Sequence, residues 1–230
     1  MPDNGYKTIS MGKTAAPPAR FEGRLGVFLV VVGFAIGWGI LWTGADILSN
    51  LNTTRYSMYL PFETQIPFVR WMMPVYFSLD LAVVVLPFLF RSWRGALPPM
   101  ATLLVQTVIA VPFFIFLPMQ VGFTGEALHG VWGEYVIDPL GLPNYCRWNH
   151  VPSLHVAYAF TIAVVLGRNW GHGVLWLAVL WAIAVSISTV LVHEHHLLDV
   201  LGGLILFVVT VPIILPFFER MTGTQPVDGD

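Results

Sequence analysis

Residues 174–192 read VLWLAVLWAIAVSISTVLV and contain no charged side chain. A membrane-spanning helix needs about 20 consecutive, mostly apolar residues. Five more segments have this character, at about 25–45, 67–90, 97–117, 151–167 and 197–218. Hydrophobic residues form 56% of the 230-residue chain and charged residues only 10%, against about 25% charged in a soluble domain. The sequence therefore predicts an all-α polytopic membrane protein, a bundle of six transmembrane helices.

Positive charge predicts the orientation of the chain. With a cytoplasmic N-terminus, eight Lys and Arg residues fall on the inner side and three on the outer side: Lys7, Lys13, Arg20, Arg24, Arg91, Arg94, Arg168 and Arg220 against Arg55, Arg70 and Arg147. This distribution satisfies the positive-inside rule. We expect a cytoplasmic tail at 1–24, a transmembrane catalytic domain at 25–220 and a C-terminal tail at 221–230, in a bacterial inner membrane. The net charge of −2 is spread over both sides and gives no reason to expect nucleic acid as a partner.

Two histidine motifs stand at the starts of two apolar segments. Pro152-Ser153-Leu154-His155 opens the segment at 151–167, and His195-x-x-x-Asp199 opens the segment at 197–218. The pass between them returns the chain across the bilayer, so both motifs share one face of the membrane. With a cytoplasmic N-terminus, that face is the periplasmic or outer one.

The spacing of the second motif suits nucleophilic catalysis. Residues four apart lie on one face of a helix, so Asp199 can accept a hydrogen bond from one ring nitrogen of His195. The other nitrogen is then available to attack an electrophile, and the carboxylate stabilises the cation that forms. His155, entering from the same face, is the candidate to protonate a leaving oxygen.

Ser153 has two possible roles. Pro152 suits the first turn of a helix, and the exposed N–H groups of such a turn, together with the Ser153 hydroxyl, form a site for an anion such as phosphate. The alternative is that Ser153 is only a helix cap.

Weaker candidates lie near the motifs and inside the spans. Arg147 is a candidate phosphate cation, with an interfacial anchor as the alternative, and Arg70 and His150 are further candidates for the substrate-binding site. Asp80 and Gln106 fall inside predicted spans, where buried polar groups are costly, and we expect them to hydrogen-bond between helices. The loop at 51–66 is interpreted as an interfacial segment without a catalytic residue, whereas the loop at 119–150 is expected to cover the site.

The histidine-rich stretch at residues 193–196 raises the question of a metal site. Residues 193–196 read His-Glu-His-His, which is not the His-Glu-x-x-His pattern of zinc proteases. Cys146 is the only cysteine, so the chain cannot form a disulfide within itself or a cysteine-rich zinc site. We therefore expect no metal ion and no other cofactor.

These motifs resemble those of the type 2 phosphatidic acid phosphatase superfamily. Its second motif reads Pro-Ser-Gly-His, and its third reads Ser-Arg, five residues, His, three residues, Asp. The resemblance implies that His195 is the phosphorylated nucleophile, Asp199 its orienting carboxylate, His155 the general acid and Ser153 a phosphate ligand. Ser188 and Thr189 fall where the Ser-Arg pair belongs and become candidate substrate-binding residues.

The departures from that pattern point to one branch of the superfamily. Leu154 replaces Gly, Thr189 replaces Arg, and no Lys-x6-Arg-Pro motif precedes Pro152. A lost charge-assisted hydrogen bond to phosphate costs about 1.5–3 kcal/mol, so a phosphodiester with one negative charge is favoured over a dianionic monoester. The sequence looks most like the inositol-phosphorylceramide synthase and sphingomyelin synthase group.

This resemblance predicts a lipid phosphotransferase that acts on membrane lipids. One alternative is a phosphatase that releases inorganic phosphate from a lipid phosphate. A second is a lipid-binding or transport protein without enzymatic activity, whose histidines respond to pH.

Overall fold

The computed structural model describes residues 20–120, 122–123 and 148–224. Within these ranges the chain is helical and contains no β-strand. Six α-helices follow one another: α1 Arg20–Leu51, α2 Met73–Val85, α3 Trp93–Phe116, α4 Leu154–Trp170, α5 His172–Leu191 and α6 Leu197–Thr222. Short 3₁₀ helices occupy Pro61–Gln65, Arg70–Met72 and Leu86–Leu89. The all-α prediction is confirmed over the described residues.

Five segments of the described chain are long and apolar enough to cross a membrane. They are Gly23–Leu51, Arg70–Leu89, Trp93–Phe116, His172–Leu191 and Leu197–Thr222. The prediction of a membrane protein is supported, but the predicted count of six spans is not confirmed. The segment expected at 151–167 forms α4, which has only 17 residues. Ser153 caps its start and Gly171, with a φ of 95°, ends it.

Helix α4 lies at the centre of the bundle. It packs against α5 and α6 and also contacts α2 and α3, whereas α1 packs mainly on α3. The residues of α4 that are buried include Val156, Ala157, Ala159, Ile162 and Ala163. The three alanines in this set let the backbones of neighbouring helices approach closely.

The two polar residues inside the spans behave differently. Gln106 of α3 is fully buried, and its Nε2 donates to the hydroxyls of Thr161 and Thr210, each at 2.9 Å. These bonds join α3 to α4 and α6, as the sequence predicts. Asp80 lies on the exposed face of α2 and makes no hydrogen bond to a described residue, so the corresponding prediction for Asp80 is wrong. That face of α2 points away from the helices on which α2 packs.

Helices α4 and α6 are tied together near both ends. At one end the N–H of Ser153 donates to the carbonyl of Asp199 at 3.0 Å. At the other end Arg168 pairs with Glu219 at 2.9 Å. Gly203 permits the close approach, because a Cβ at this position would lie 2.4 Å from the carbonyl oxygen of Ser153. The two histidine motifs are therefore brought to the same end of the bundle.

Candidate functional site

His195 and Asp199 form a buried pair. Nδ1 of His195 lies 3.3 Å from Oδ2 of Asp199, and the two residues are 5% and 2% exposed. His195 is not on the helix, since α6 begins at Leu197. The same Oδ2 atom accepts the backbone N–H of His196 at 2.8 Å. Asp199 thus satisfies an N–H at the start of α6 and orients the imidazole of His195 with one oxygen.

His155 faces this pair from the first turn of α4. Its ring centroid lies 5.8 Å from that of His195, with 62° between the ring planes. Tyr76 of α2 stacks on His155, with 4.2 Å between the ring centroids. Three helices therefore hold the two histidines and the carboxylate together.

His150 lies beside His195 and Asp199, although the sequence predicts it only as a further candidate for the substrate-binding site. Ring nitrogens of His150 and His195 and a carboxylate oxygen of Asp199 lie within 4.8 Å of one another. Nδ1 of His150 is 2.9 Å from the carbonyl oxygen of Glu194, a contact in which Nδ1–H donates. Among the described residues, these three could together hold a metal ion.

Ser153 acts as a helix cap. Its Oγ accepts the N–H of Val156 at 3.5 Å, and its own N–H donates to Asp199. The cap interpretation is confirmed by this geometry. The contact of Ser153 with phosphate stays a prediction.

Of Ser188 and Thr189, Thr189 contacts the cluster, and it does so through its backbone carbonyl. Their hydroxyls donate within α5, to the carbonyls of Val185 at 2.7 Å and Ser186 at 2.8 Å. The carbonyl of Thr189 accepts the N–H groups of Glu194 and His195, both at 3.0 Å. Thr189 is therefore linked to His195 by its carbonyl oxygen, which fixes the chain just before α6.

Of the two arginine candidates, the structure describes only Arg70. Arg70 begins the 3₁₀ helix Arg70–Met72, at the site end of α2, and its side chain is exposed. Arg147 lies outside the described residues, as does most of the loop expected to cover the site.

Glu63 is the residue that sequence reasoning missed. It lies in the 3₁₀ helix Pro61–Gln65 and is 1% exposed. Its Oε2 lies 3.0 Å from Nδ1 of His196 and accepts the N–H of Leu197 at 2.8 Å. Its Oε1 accepts the N–H of Leu60 at 2.8 Å. The interpretation of 51–66 as an interfacial segment gave no sign that a carboxylate from it reaches the start of α6.

The ring of His196 is fixed on both edges and both faces. Nε2 of His196 accepts the N–H of Gly122 at 3.0 Å, so Nδ1 carries the proton that is donated to Glu63. Tyr59 stacks at 4.8 Å and Phe123 at 4.3 Å from the His196 ring, measured between centroids. Burial lowers the pKa of His196, while hydrogen bonding to Glu63 and the charge of Asp199 oppose that shift. This imidazole is therefore neutral in the arrangement described.

Phe123 also stacks on His193. The centroids of these rings are 4.0 Å apart and the planes differ by 5°. Nε2 of His193 is 2.9 Å from the carbonyl oxygen of Ile66. Residues from two other segments of the chain, 59–66 and 122–123, thus meet around the two histidines that flank His195.

Together, the fold and this cluster define an all-helical membrane protein with a buried histidine–carboxylate site at one end of the bundle. No family model matches the chain, and neither a curated protein nor a solved structure matches it. The superfamily resemblance rests on the two sequence motifs.

Proposed function

We propose that this protein is an integral membrane lipid phosphotransferase. It moves a phospho-headgroup from a phospholipid donor to a lipid alcohol through a phosphohistidine at His195. The observation that carries the proposal is the buried His195–Asp199 pair, with His155 and His150 beside it. A histidine oriented by a carboxylate, with a second histidine nearby, is the arrangement that nucleophilic and acid–base catalysis require.

In this proposal α4 is the sixth membrane pass. Its 17 residues lie at the lower limit of about 17–25 for a span. Its ties to Asp199 and Glu219 lie near opposite ends of α6, which is itself a candidate span, and this supports a crossing of similar depth. With a cytoplasmic N-terminus, the cluster then faces the periplasmic side of a bacterial inner membrane.

The first chemical step forms the covalent intermediate. The lone pair on Nε2 of His195 attacks the phosphorus of the donor diester while the bond from phosphorus to the diacylglycerol oxygen breaks. His155, which is protonated once the anionic phosphate lies beside it, gives its proton to that departing oxygen. Asp199, which accepts from Nδ1–H of His195, stabilises the positive charge on the phosphorylated imidazole.

The second step returns the enzyme to its starting state. The hydroxyl of a lipid alcohol loses its proton to His155, and its oxygen attacks the phosphorus. The phosphorus–nitrogen bond breaks, and its electron pair returns to Nε2 of His195. Water in place of the lipid alcohol would complete a hydrolysis instead.

A diester donor is consistent with the charges near the cluster. The superfamily's phosphate-binding Arg is replaced by Thr189, whose hydroxyl donates to a carbonyl of its own helix. In this proposal the protonated His155 supplies the positive charge beside the donor phosphate. One such group suits a substrate with one negative charge.

A labelled-lipid assay tests the proposal. Purified protein is incubated with radiolabelled glycerophospholipids and lipid phosphates, with and without ceramide or diacylglycerol. We expect a new labelled phospholipid only when the lipid alcohol is present, and none from His195→Ala. His172→Ala is the matched control, because His172 is exposed at the start of α5.

The products separate the rival functions. Inorganic phosphate released from a monoester would replace the transferase by a lipid phosphate phosphatase. Lipid binding without turnover, unchanged in His195→Ala, would favour the non-enzymatic alternative.

A further inference from the structure

We propose that Glu63 is a positioning residue that holds His195 in line for attack on phosphorus. This inference rests on the proposed function. Glu63 belongs to a segment 132 residues before His195 in the chain, and it does not itself bind the lipid. It acts by fixing His196 and Leu197, the two residues that follow the nucleophile.

The carboxylate of Glu63 accepts three hydrogen bonds. Oε2 receives Nδ1–H of His196 at 3.0 Å and the N–H of Leu197 at 2.8 Å, and Oε1 receives the N–H of Leu60 at 2.8 Å. All three are N–H groups, so both oxygens must be acceptors. An amide cannot replace the carboxylate here, because its NH₂ group would face a donor at one of the two sides.

The position of Glu63 at the start of α6 favours a negatively charged side chain. The first N–H groups of a helix have no partner within the helix, and the helix dipole favours negative charge there. Leu197 is the first residue of α6, and Glu63 satisfies its N–H. Asp199 satisfies the N–H of His196 at 2.8 Å. Each of the two carboxylates thus accepts one backbone N–H at the start of α6.

The turn from His195 to Leu197 links Glu63 to the nucleophile. Asp199 can orient His195 only if the turn from His195 to Leu197 keeps its shape, because the same Oδ2 atom serves His196 and His195. Glu63 holds that turn at His196 and Leu197. The carbonyl of Thr189 holds its other side through the N–H of His195 at 3.0 Å. Without Glu63, the Nδ1–H of His196 and the N–H of Leu197 lose their acceptor, and the N–H of His196 keeps only its bond to Asp199.

The test compares two identical substitutions at opposite ends of α6. Glu63→Gln removes the carboxylate at the start of the helix. Glu219→Gln removes a carboxylate that pairs with Arg168 at the far end of the helix. We expect Glu63→Gln to lower kcat by about 10- to 100-fold, since a displacement of about 1 Å in a catalytic group can cost 100-fold. KM should stay within a few-fold of wild type, and Glu219→Gln should keep the wild-type kcat.

A spectroscopic measurement on the same proteins reads the geometry directly. Nitrogen NMR of protein labelled with ¹⁵N-histidine distinguishes the two neutral tautomers of an imidazole. His196 of the wild type, assigned by the signal that His196→Asn loses, is expected to carry its proton on Nδ1. In Glu63→Gln we expect this preference to be lost, whereas Glu219→Gln should leave it unchanged.

The outcomes test the positioning role of Glu63 and the proposed function separately. Wild-type kcat together with an unchanged His196 tautomer in Glu63→Gln would overturn the positioning role. A fall in kcat with an unchanged tautomer would overturn it as well. If the wild type turns over no lipid, the proposed function fails, and the tautomer measurement still decides whether Glu63 fixes His196.

A second variant covers the case in which Glu63→Gln does not fold. Glu63→Asp keeps the charge, but its side chain is one methylene shorter and cannot serve Leu60 and Leu197 at once. We expect an intermediate kcat and a partial loss of the Nδ1–H tautomer. Wild-type values for both quantities would overturn the proposal.

Discussion

Replacement of Gly203 by Ala tests whether the close contact between α4 and α6 sets the site geometry. A Cβ on Gly203 would lie 2.4 Å from the carbonyl oxygen of Ser153 and 2.9 Å from Cβ of Val156. Non-bonded heavy atoms prefer separations of about 3.5–4.0 Å. The start of α4 must therefore move away from α6 by about 1 Å, and His155 moves with it.

The size of the effect follows from this displacement. Overpacking of this kind costs about 1–3 kcal/mol of stability. A misplacement of about 1 Å in a catalytic group can cost about 100-fold in rate, and the bond from the N–H of Ser153 to Asp199 is strained by the same movement. We expect Gly203→Ala to lower kcat by about 10- to 100-fold and to lower the melting temperature.

The assay measures both quantities on one preparation. Single-turnover transfer of a labelled headgroup gives the rate, and thermal unfolding in detergent gives the stability. Gly39→Ala is the control, because no atom lies within 4 Å of a Cβ at that position in α1. There, Ala should be neutral or slightly stabilising, since Gly costs about 0.5–1 kcal/mol in a helix. If Gly203→Ala keeps the wild-type rate and stability, the close contact does not set the site geometry.

Four further outcomes are expected. Asp199→Asn should lower kcat by at least about 10- to 100-fold, because it removes charge-assisted hydrogen bonds worth about 1.5–3 kcal/mol each; a near-normal rate of phosphohistidine formation would contradict the orienting role. Vanadate should inhibit by occupying the phosphorus position, and EDTA should not; activity lost with EDTA and restored by zinc would instead give the His150 cluster a metal. Gln106→Leu should lower the free energy of unfolding by about 1 kcal/mol, and an unchanged value would mean that its two hydrogen bonds are not net stabilising. Burial lowers the pKa of His196 in the folded protein below its value in the unfolded chain, so the unfolded chain takes up a proton first as the pH falls below about 6.5. The free energy of unfolding of wild type relative to His196→Asn should therefore be constant above that pH and decline below it. A difference in thermal unfolding that does not change with pH would contradict this.

The positions of the helices could be predicted from the sequence because membrane helices are long apolar runs. The fourth segment, predicted at 151–167, forms α4 at Leu154–Trp170, because Ser153 caps the start of the helix and Gly171, with a positive φ, ends it. For Asp80, hydropathy alone does not say which face of α2 packs on its neighbours. A polar residue in a span was therefore correctly interpreted at Gln106 and not at Asp80.

The site was predictable where its geometry is local. His195 and Asp199 are four residues apart, so their hydrogen bond could be expected, although it forms at the entry to the helix and not along one helical face. Glu63 and His196 are 133 residues apart, and no periodicity or motif connects them. The depth of His150 also depends on packing between distant segments. Such contacts are decided by the tertiary fold, which a single sequence does not display.

The sandwich of Phe123 between His193 and His196 has a consequence for how the outer segments move. Withdrawing Phe123 separates two stacked ring pairs, and the adjacent Gly122 then loses its hydrogen bond to Nε2 of His196. These contacts oppose any motion that draws Phe123 away from the entry to α6. Thermodynamic linkage is reciprocal. A ligand that favours the present position of His196 therefore also favours the stacked position of Phe123, by the same coupling free energy.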